Sequence, residues 1–182
     1  EARAIYNELQ ETYPIVLTRD INVARAWVRS QARGSERFGL TASAGARRLR
    51  PHGIWVQHKV DPPNWFLNDK SDIRSSFGLE ETATEFDIQG LELDWTIVCW
   101  DGDLRYNGSS FVHHAFVGSR WTNIGTPERR MYLTNAYRVL LTRARQGMVI
   151  FIPEGSEHDH TRSSEFYDYT YEYLKSVGIP EI

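Results

Sequence analysis

The amino-acid sequence predicts an α/β domain built on a parallel sheet, and three stretches support that fold class. An apolar, β-branched run at residues 96–100 is typical of a buried strand, and so is the run at 148–152. Between them, apolar residues recur at helical spacing from 133 to 144. Strand, helix and strand in this order are typical of a domain in which helices pack on a parallel sheet.

Length and composition exclude several classes of protein. A chain of 182 residues is long enough for one well-buried α/β domain and too short for two domains of typical size. The hydrophobic and charged fractions, 41% and 25%, are those of a globular protein rather than a disordered one. The formal net charge of −3 gives no overall basic character, so nucleic acid would have to bind through a local patch.

Cysteine content and hydropathy indicate the compartment. The one cysteine, Cys99, lies within an apolar run, which favours a packing role and a reducing compartment. No stretch has the length of a membrane span, and no basic-then-apolar leader is present. We therefore expect a cytoplasmic protein without a membrane partner. Because the sequence lacks an initiator methionine and opens in helical character, we interpret it as a piece of a longer protein.

The other elements follow from periodicity and turn residues. Asp20 is a suitable N-cap for one helix, and Gly34 and Gly178 are stop signals for two. The turn-rich stretch 101–110 is expected to be a loop. The further predicted elements are helices at 1–12, 21–32 and 163–177, strands at 15–17, 38–42 and 54–60, and a hairpin at the sheet edge over 111–122.

Two arginines, Arg143 and Arg145, end the helical pattern that precedes the last apolar run. Arg143 falls at the margin of the apolar stripe rather than on the solvent-facing side. A planar guanidinium that is always charged suits bidentate recognition of phosphate. Arginines in the last turn of a helix also interact favourably with the helix dipole, which is the simpler interpretation of the pattern alone.

A loop between strand-like runs contains Gln89, Gly90 and Glu92. It offers a side-chain amide, an unhindered backbone N–H and a carboxylate that can accept from a hydroxyl such as that of a ribose. A lone Gln-Gly-x-Glu is weak evidence. The longer patterns Thr-x-Phe-x-x-Gln-Gly-Leu-Glu-Leu-Asp at 84–94 and Val-Leu-Leu-Thr-Arg-Ala-Arg at 139–145 are stronger, because an apolar run follows each.

Together these two patterns resemble the fifth and sixth motifs of the superfamily-one helicases, which lie in the second of two RecA-like domains. The sequence is closer still to a family of helicase-like P-loop ATPases related to the schlafen ATPase region. Supporting phrases are Leu-Thr-Arg-Asp at 17–20, Gly-Ser-Glu-Arg-Phe-Gly-Leu at 34–40, Ala-Ser-Ala-Gly-Ala-Arg at 42–47 and Tyr-Arg-Val-Leu-Leu-Thr-Arg at 137–143. The resemblance implies that residues 1–182 form one RecA-like C-terminal domain, a parallel sheet with helices on both faces.

Carried over residue by residue, the resemblance implies a nucleotide site shared with an N-terminal RecA-like domain. Arg143 would be the arginine finger that reaches the γ-phosphate of ATP. Gln89, Gly90 and Glu92 would line the nucleotide side of the cleft, with the glutamate near the ribose. Arg19 would make a second phosphate contact. ATP and Mg²⁺ would be held mainly by the other domain, because no Gly-x-x-x-x-Gly-Lys-Ser/Thr loop is present, so this domain alone is expected not to hydrolyse ATP.

The resemblance also implies a DNA or RNA partner. Thr84 and Thr142 are the expected contacts to nucleic acid. Arg47 and Arg48, in a basic cluster after a small-residue turn, are candidate phosphate contacts, although such a cluster is equally typical of a solvated surface. Phe86 replaces a histidine common in the superfamily and offers a stacking face.

Histidine pairs at 113–114 and at 158 and 160 are the only hint of a metal site. Neighbouring side chains on a strand point to opposite faces, and no cysteine lies nearby, so we do not expect a metal. Asp101 and Asp103, with Glu92, have the composition of a nuclease site, but the turn-like setting favours a surface loop. Trp65, beside two prolines, is a candidate platform for base stacking.

Two functional hypotheses follow. In the first, the chain is the C-terminal motor domain of a nucleic-acid-dependent ATPase or helicase, and Arg143 completes hydrolysis. In the second, it is a catalytically inert RecA-like module that binds nucleic acid or protein. A P-loop and an Asp-Glu metal motif upstream of Glu1 would favour the first hypothesis, and their absence the second.

Overall fold

A computed structural model describes residues 2–182 as two sheets with flanking helices. The strands are β1 (Ile15–Thr18), β2 (Phe38–Ala42), β3 (Thr82–Thr84), β4 (Leu93–Cys99), β5 (Leu104–Tyr106), β6 (Phe111–Val117), β7 (Arg120–Asn123) and β8 (Ala144–Phe151). The helices are α1 (Ala2–Leu9), α2 (Ile21–Gln31), α3 (Pro62–Leu67), α4 (Pro127–Leu141) and α5 (Glu165–Val177). Among residues 2–182, no helix combines the length and the apolar character needed to cross a membrane.

Five strands form a parallel sheet in the order β1-β8-β4-β2-β3. The central strand β4 pairs with both β8 and β2, so that Ile97 is aligned with Val149 on one side and with Leu40 on the other. A sheet that is covered on both faces needs apolar residues on both, which explains the continuous apolar runs in the sequence. We call the side where the parallel strands begin the amino edge and the side where they end the carboxyl edge.

Helices cover both faces of this sheet. Val28 of α2 belongs to the same core as Ile97, whereas Tyr137 of α4 and Tyr167 of α5 belong to the other core, together with Val98. Ile97 and Val98 are neighbours in β4, and they enter different cores because successive strand residues point to opposite faces. The predicted fold class, a parallel sheet with helices on both faces, is confirmed.

A smaller antiparallel sheet of β5, β6 and β7 connects β4 to α4. The predicted hairpin forms, but in this separate sheet rather than at the edge of the parallel one. Strands β6 and β7 pair through Val117 and Arg120, and Gly118 between them has a φ of +62°, which glycine adopts without steric cost. The expected loop at 101–110 contains strand β5, because residues 104–106 pair with 111–113 of β6.

Several element boundaries are confirmed and others are wrong. The Asp20 carboxylate accepts the N–H of Asn22 at 2.7 Å and so caps α2 as predicted. The predicted strand at 54–60 is not formed; α3 follows it, and its two leading prolines occupy the first turn, where a missing N–H does no harm. In α5, Tyr167 and Tyr171 are buried, whereas Tyr169 is 56% exposed.

Trp65 of α3 is a core residue. It is 1% exposed, and its indole N–H donates to the carbonyl of Glu81 at 3.1 Å. The ring covers Gly39 of β2 so closely that a Cβ on Gly39 would lie 2.6 Å from it. The prediction that Trp65 stacks on bases is therefore wrong, because the ring is enclosed by the protein.

Replacing Gly39 with alanine is expected to destabilise the protein by about 1–3 kcal/mol, because the new methyl group overpacks the contact with Trp65. Urea denaturation measures the free energy of unfolding. Gly125→Ala is the matched control, since no heavy atom lies within 4 Å of the position of its added Cβ. Equal stability of the two variants would show that α3 does not hold Trp65 against β2.

Candidate functional site

The amino edge brings together Arg143 and Glu92, the residues that the resemblance assigns to the γ-phosphate and the ribose. Glu92 directly precedes β4, and Arg143 directly precedes β8. These strands are neighbours in the sheet, and the N–H of Leu93 donates to the carbonyl of Arg143 at 2.9 Å. Parallel pairing thus makes neighbours of two residues that are far apart in the sequence.

Arg143 lies in the junction between α4 and β8. The helix ends at Leu141, and the hydroxyl of Thr142 donates back to the carbonyl of Arg138 at 2.7 Å. The prediction that Arg143 sits in the last helical turn is therefore wrong, and Thr142 lies with it at the amino edge rather than with Thr84. The side chain of Arg143 is half-buried, and its Nε is buried without a hydrogen-bond partner in residues 2–182.

The other three candidate arginines lie at the carboxyl edge, on the opposite side of the sheet. Arg19 follows β1, and its guanidinium pairs with Asp168 of α5 at 2.6 Å. Arg48 follows β2 and pairs with Asp159 at 2.8 Å. Arg47 is exposed. The structure thus does not bring Arg19 to the amino-edge residues.

Thr84 ends β3 at the carboxyl edge and begins a tight turn. Its N–H and its hydroxyl both donate to the carboxylate of Asp87, at 2.8 and 2.7 Å, which fixes residues 84–90. Phe86 and Gln89 project from this turn, both exposed, and Gly90 has a φ of +82°. The turn therefore places Gln89 beside Phe86, while the chain continues towards the amino edge.

A groove of about 670 Å³ separates this turn from α4, and we call it the α4 groove. Phe86 and Tyr132 both line it and are 72% and 71% exposed. Arg129 of α4 also lines the groove, as do Ser43 and Glu85 at the carboxyl edge. The α4 groove therefore combines two exposed aromatic rings with one guanidinium.

Two carboxyl groups are buried at the carboxyl edge, directly after β4. Asp101 and Asp103 are 0% and 1% exposed. Asp103 accepts hydrogen bonds from the hydroxyl of Tyr137 at 2.6 Å and from that of Ser43 at 2.7 Å. The prediction that these residues form a surface loop is wrong, because hydroxyl groups from other elements enclose them.

Asp101 completes a network with its neighbour. Its carboxylate accepts from the hydroxyl of Tyr167 at 3.0 Å and from the backbone N–H of Arg48 at 2.8 Å. Its own N–H donates to the oxygen of Tyr137 at 3.3 Å. The carboxyl pair therefore joins the end of β4 to α4, to α5 and to the loop that follows β2.

Burial raises the pKa of both carboxyl groups. The pKa of Asp103 rises to about 7, first because of desolvation and then because of the charge on Asp101. Asp101 accepts two backbone N–H groups, from Arg48 and Gly102, and a backbone donor cannot reverse its role. The hydroxyl of Ser43 can turn and accept a proton from Asp103 instead. We therefore assign a proton to Asp103 rather than to Asp101.

This assignment predicts how stability depends on pH. The pKa of Asp103 in the folded state, about 7, exceeds the value of roughly 3.9 expected for an unfolded chain. At pH values between these two pKa values, the folded state therefore binds one more proton, on Asp103, than the unfolded state does. Its contribution to stability is full below about pH 4 and falls by up to about 1.4 kcal/mol per pH unit as the pH rises towards 7.

Asp103→Asn mimics the protonated acid and removes this dependence. The free energy of unfolding of the wild type, minus that of the variant, is expected to decrease between about pH 4 and 7 and to level off above 7. Chemical denaturation at a series of pH values measures the difference, in which titrating groups that do not interact with Asp103 cancel. Parallel profiles for the two proteins would show that the proton is not held by Asp103.

Sequence reasoning missed the residues that enclose the carboxyl pair, and of those that line the α4 groove it named Phe86 and Gln89 but not Tyr132 or Arg129. One signal was available: Asp101 and Asp103 directly follow an apolar strand, and in open parallel sheets polar functional groups concentrate at that end of the strands. Tyr137 was counted only as part of an apolar stripe, because periodicity does not reveal where a hydroxyl points. Ser43 and Tyr167 gave no local signal, since their partners are distant in the sequence.

The side chains of His113 and His114 lie in different environments. The Nε2 of His113 lies 2.8 Å from the hydroxyl of Thr134. Burial lowers the pKa of His114 to about 4, so its ring is neutral at pH 7. Within residues 2–182, no cluster of three or more His, Cys, Asp or Glu side chains is placed to hold a metal ion.

The parallel sheet with helices on both faces is that of a RecA-like α/β domain. The chain belongs to the Schlafen group 3, DNA/RNA helicase domain family, whose family model matches residues 1–154. The matched region contains the whole parallel sheet, Arg143 and the α4 groove, and it ends before α5. The resemblance drawn from the sequence is thus confirmed. Searches of curated proteins and of solved structures found no match.

Proposed function

We propose that this chain is the second RecA-like domain of a nucleic-acid-dependent ATPase of the helicase type. Its amino edge completes an ATP site that another domain of the same protein mainly holds. Membership of a DNA/RNA helicase domain family supports a helicase-like module in general. The contrast among the candidate arginines supports the more specific role of Arg143.

Of the four arginines that are candidates for binding phosphate, two already have acidic partners, and Arg47 is exposed to solvent. Arg19 pairs with Asp168 and Arg48 pairs with Asp159, so their charges are compensated within the domain. Arg143 forms no ion pair with an acidic side chain of residues 2–182, and its Nε is buried without a partner. A half-buried guanidinium without a counter-charge is costly unless a ligand supplies one, which supports a phosphate as the missing partner.

Glu92 supports the same site. Its side chain is 64% exposed, and the nearest cation, Nε of Arg145, is 3.9 Å away across solvent-exposed surface. Such an exposed pair contributes little energy, so the carboxylate is available to accept from a hydroxyl group. A ribose hydroxyl beside the γ-phosphate contact of Arg143 fits this arrangement.

The chemistry expected of these residues is electrostatic. Bound Mg-ATP supplies the phosphoryl group that is transferred. Arg143 stabilises the negative charge that spreads over that group, and Glu92 helps to orient the nucleotide. The junction is held by the hydroxyl of Thr142 and by the bond from the N–H of Leu93 to the carbonyl of Arg143, so the backbone that carries the guanidinium is fixed before closure of the two domains.

Arg143→Ala in the longer protein is expected to lower the ATPase kcat on the order of a thousandfold, because one charge at the transferred phosphoryl group is lost. Steady-state ATP hydrolysis with single-stranded nucleic acid present measures the effect. Arg138→Ala is the matched control, since Arg138 is an exposed arginine of the preceding helix α4 whose side chain bonds only to Asn135. The control is expected to keep nearly full turnover.

Near-wild-type turnover of the Arg143→Ala variant would show that Arg143 is not the arginine finger. It would favour the alternative, a RecA-like module that binds nucleic acid or protein without hydrolysis. The Arg143→Lys variant keeps the positive charge but loses the planar guanidinium, whose donors have a fixed geometry. We therefore expect lysine to restore only a small part of kcat.

A further inference from the structure

We propose that the cleft between the small antiparallel sheet and the start of α5 binds a small carboxylate through the guanidinium of Arg105. The cleft has a volume of about 250 Å³ and is lined by residues of β5, β6 and α5 and of the turn after β5. We call it the Arg105 cleft. Neither Arg143 nor any residue of the α4 groove lines it, so the proposal is independent of the ATP site.

Arg105 is a buried cation whose donors are not all satisfied. Its side chain is only 9% exposed, and its Nε donates to the carbonyl of Gly102. Its Nη2 is buried without a hydrogen-bond partner in residues 2–182. Burial lowers the pKa of Arg105 to about 10, so the group stays charged at pH 7. A buried charge with an unsatisfied donor is costly, and a bound anion removes that cost.

Two aromatic rings fix the position of this guanidinium. Its central carbon lies 3.8 Å from the ring centroid of Phe166 and 5.0 Å from that of Trp121. The indole N–H of Trp121 donates to the carbonyl of Thr161 at 2.8 Å, which holds this ring in turn. Because the guanidinium is positioned before a ligand arrives, little side-chain ordering is needed on binding.

Two other polar side chains line the Arg105 cleft. The amide oxygen of Asn107 accepts from the N–H groups of Ser109 and Ser110, at 3.0 and 2.9 Å, which orients the amide and leaves its Nδ2 to donate elsewhere. The Nδ1 of His114 is buried without a partner in residues 2–182, and it becomes a donor in the tautomer that places the proton there. Donors that converge on one cleft suit an anionic ligand.

The charges around the Arg105 cleft favour a carboxylate over a phosphate. Glu165 is the one acidic side chain in the lining, where it is exposed in the first turn of α5. The charge of Asp101 also acts on the guanidinium. A monoanion therefore suits this cleft better than a dianion does. The other walls are aromatic or apolar and suit a ligand with a short aromatic or aliphatic body: Tyr106, Val112, Phe166 and Tyr169.

Titration of the ¹⁵N-labelled protein with benzoate, at an ionic strength held constant with chloride, tests the proposal by NMR. The indole N–H signal of Trp121, which packs against Arg105, is identified by its loss in Trp121→Phe. This signal is expected to shift and to saturate with a Kd on the order of 1 mM, the strength of a few hydrogen bonds to a charged group. Inorganic phosphate is expected to bind more weakly. No saturable shift with benzoate, or tighter binding of phosphate, would overturn the proposal.

Two substitutions of exposed side chains are expected to change the Kd for benzoate in opposite directions. Asn107→Asp keeps the oxygen that holds the turn but replaces the free donor with a negative charge, so the Kd should rise. Glu165→Gln removes a like charge, so the Kd should fall roughly 1.5- to 5-fold. Glu172→Gln is the matched control, because this exposed glutamate of α5 lies outside the cleft, and its Kd should be unchanged.

Arg105→Lys keeps the charge but loses the planar fork of donors, and it is expected to raise the Kd at least about tenfold. A Kd for benzoate that neither Asn107→Asp nor Glu165→Gln changes would place the ligand elsewhere and overturn the assignment, whether or not the Arg105 variant folds. The titration needs neither ATP nor Arg143, so failure of the ATPase assignment would be seen separately.

Discussion

Two carboxyl groups buried side by side impose the strongest constraint on this structure. Desolvating a charge costs several kcal/mol unless hydrogen bonds or a proton compensate it. Asp101 and Asp103 form no ion pair in residues 2–182 and depend on the hydroxyl groups of Ser43, Tyr137 and Tyr167 for hydrogen bonds. Those hydroxyl groups come from three different elements, so the pair can be satisfied only when the loop after β2, α4 and α5 are all in place.

This constraint links the two edges of the sheet. Tyr137 is held at the carboxyl edge, and α4 runs from there to the amino edge, where Arg143 follows within two turns along the chain. One wall of the α4 groove is the same helix. A single helix therefore connects the buried carboxyl pair at the carboxyl edge to the proposed contact with ATP at the amino edge.

The sequence predicted what depends on local pattern and missed what depends on distant partners. The apolar runs became the central strands, and Asp20 caps α2, because burial and capping are encoded by neighbouring residues. The stretch after β4 was read as a surface loop, since turn residues look alike whether buried or exposed. Trp65 and Phe86 were both candidates for stacking, and only tertiary packing separates the buried ring from the exposed one. The structure places the residues assigned by resemblance at both the amino and the carboxyl edge of the parallel sheet. The spacing of the motifs does not reveal this division.

The central claim is that the amino edge, and Arg143 in particular, faces the nucleotide. A structure of the longer protein with a non-hydrolysable ATP analogue measures this directly. The account predicts a guanidinium nitrogen of Arg143 at about 3 Å from a γ-phosphate oxygen, with Glu92 beside the ribose. An analogue bound at the carboxyl edge, or an Arg143 side chain paired with an acidic residue and turned away from the phosphates, would contradict it.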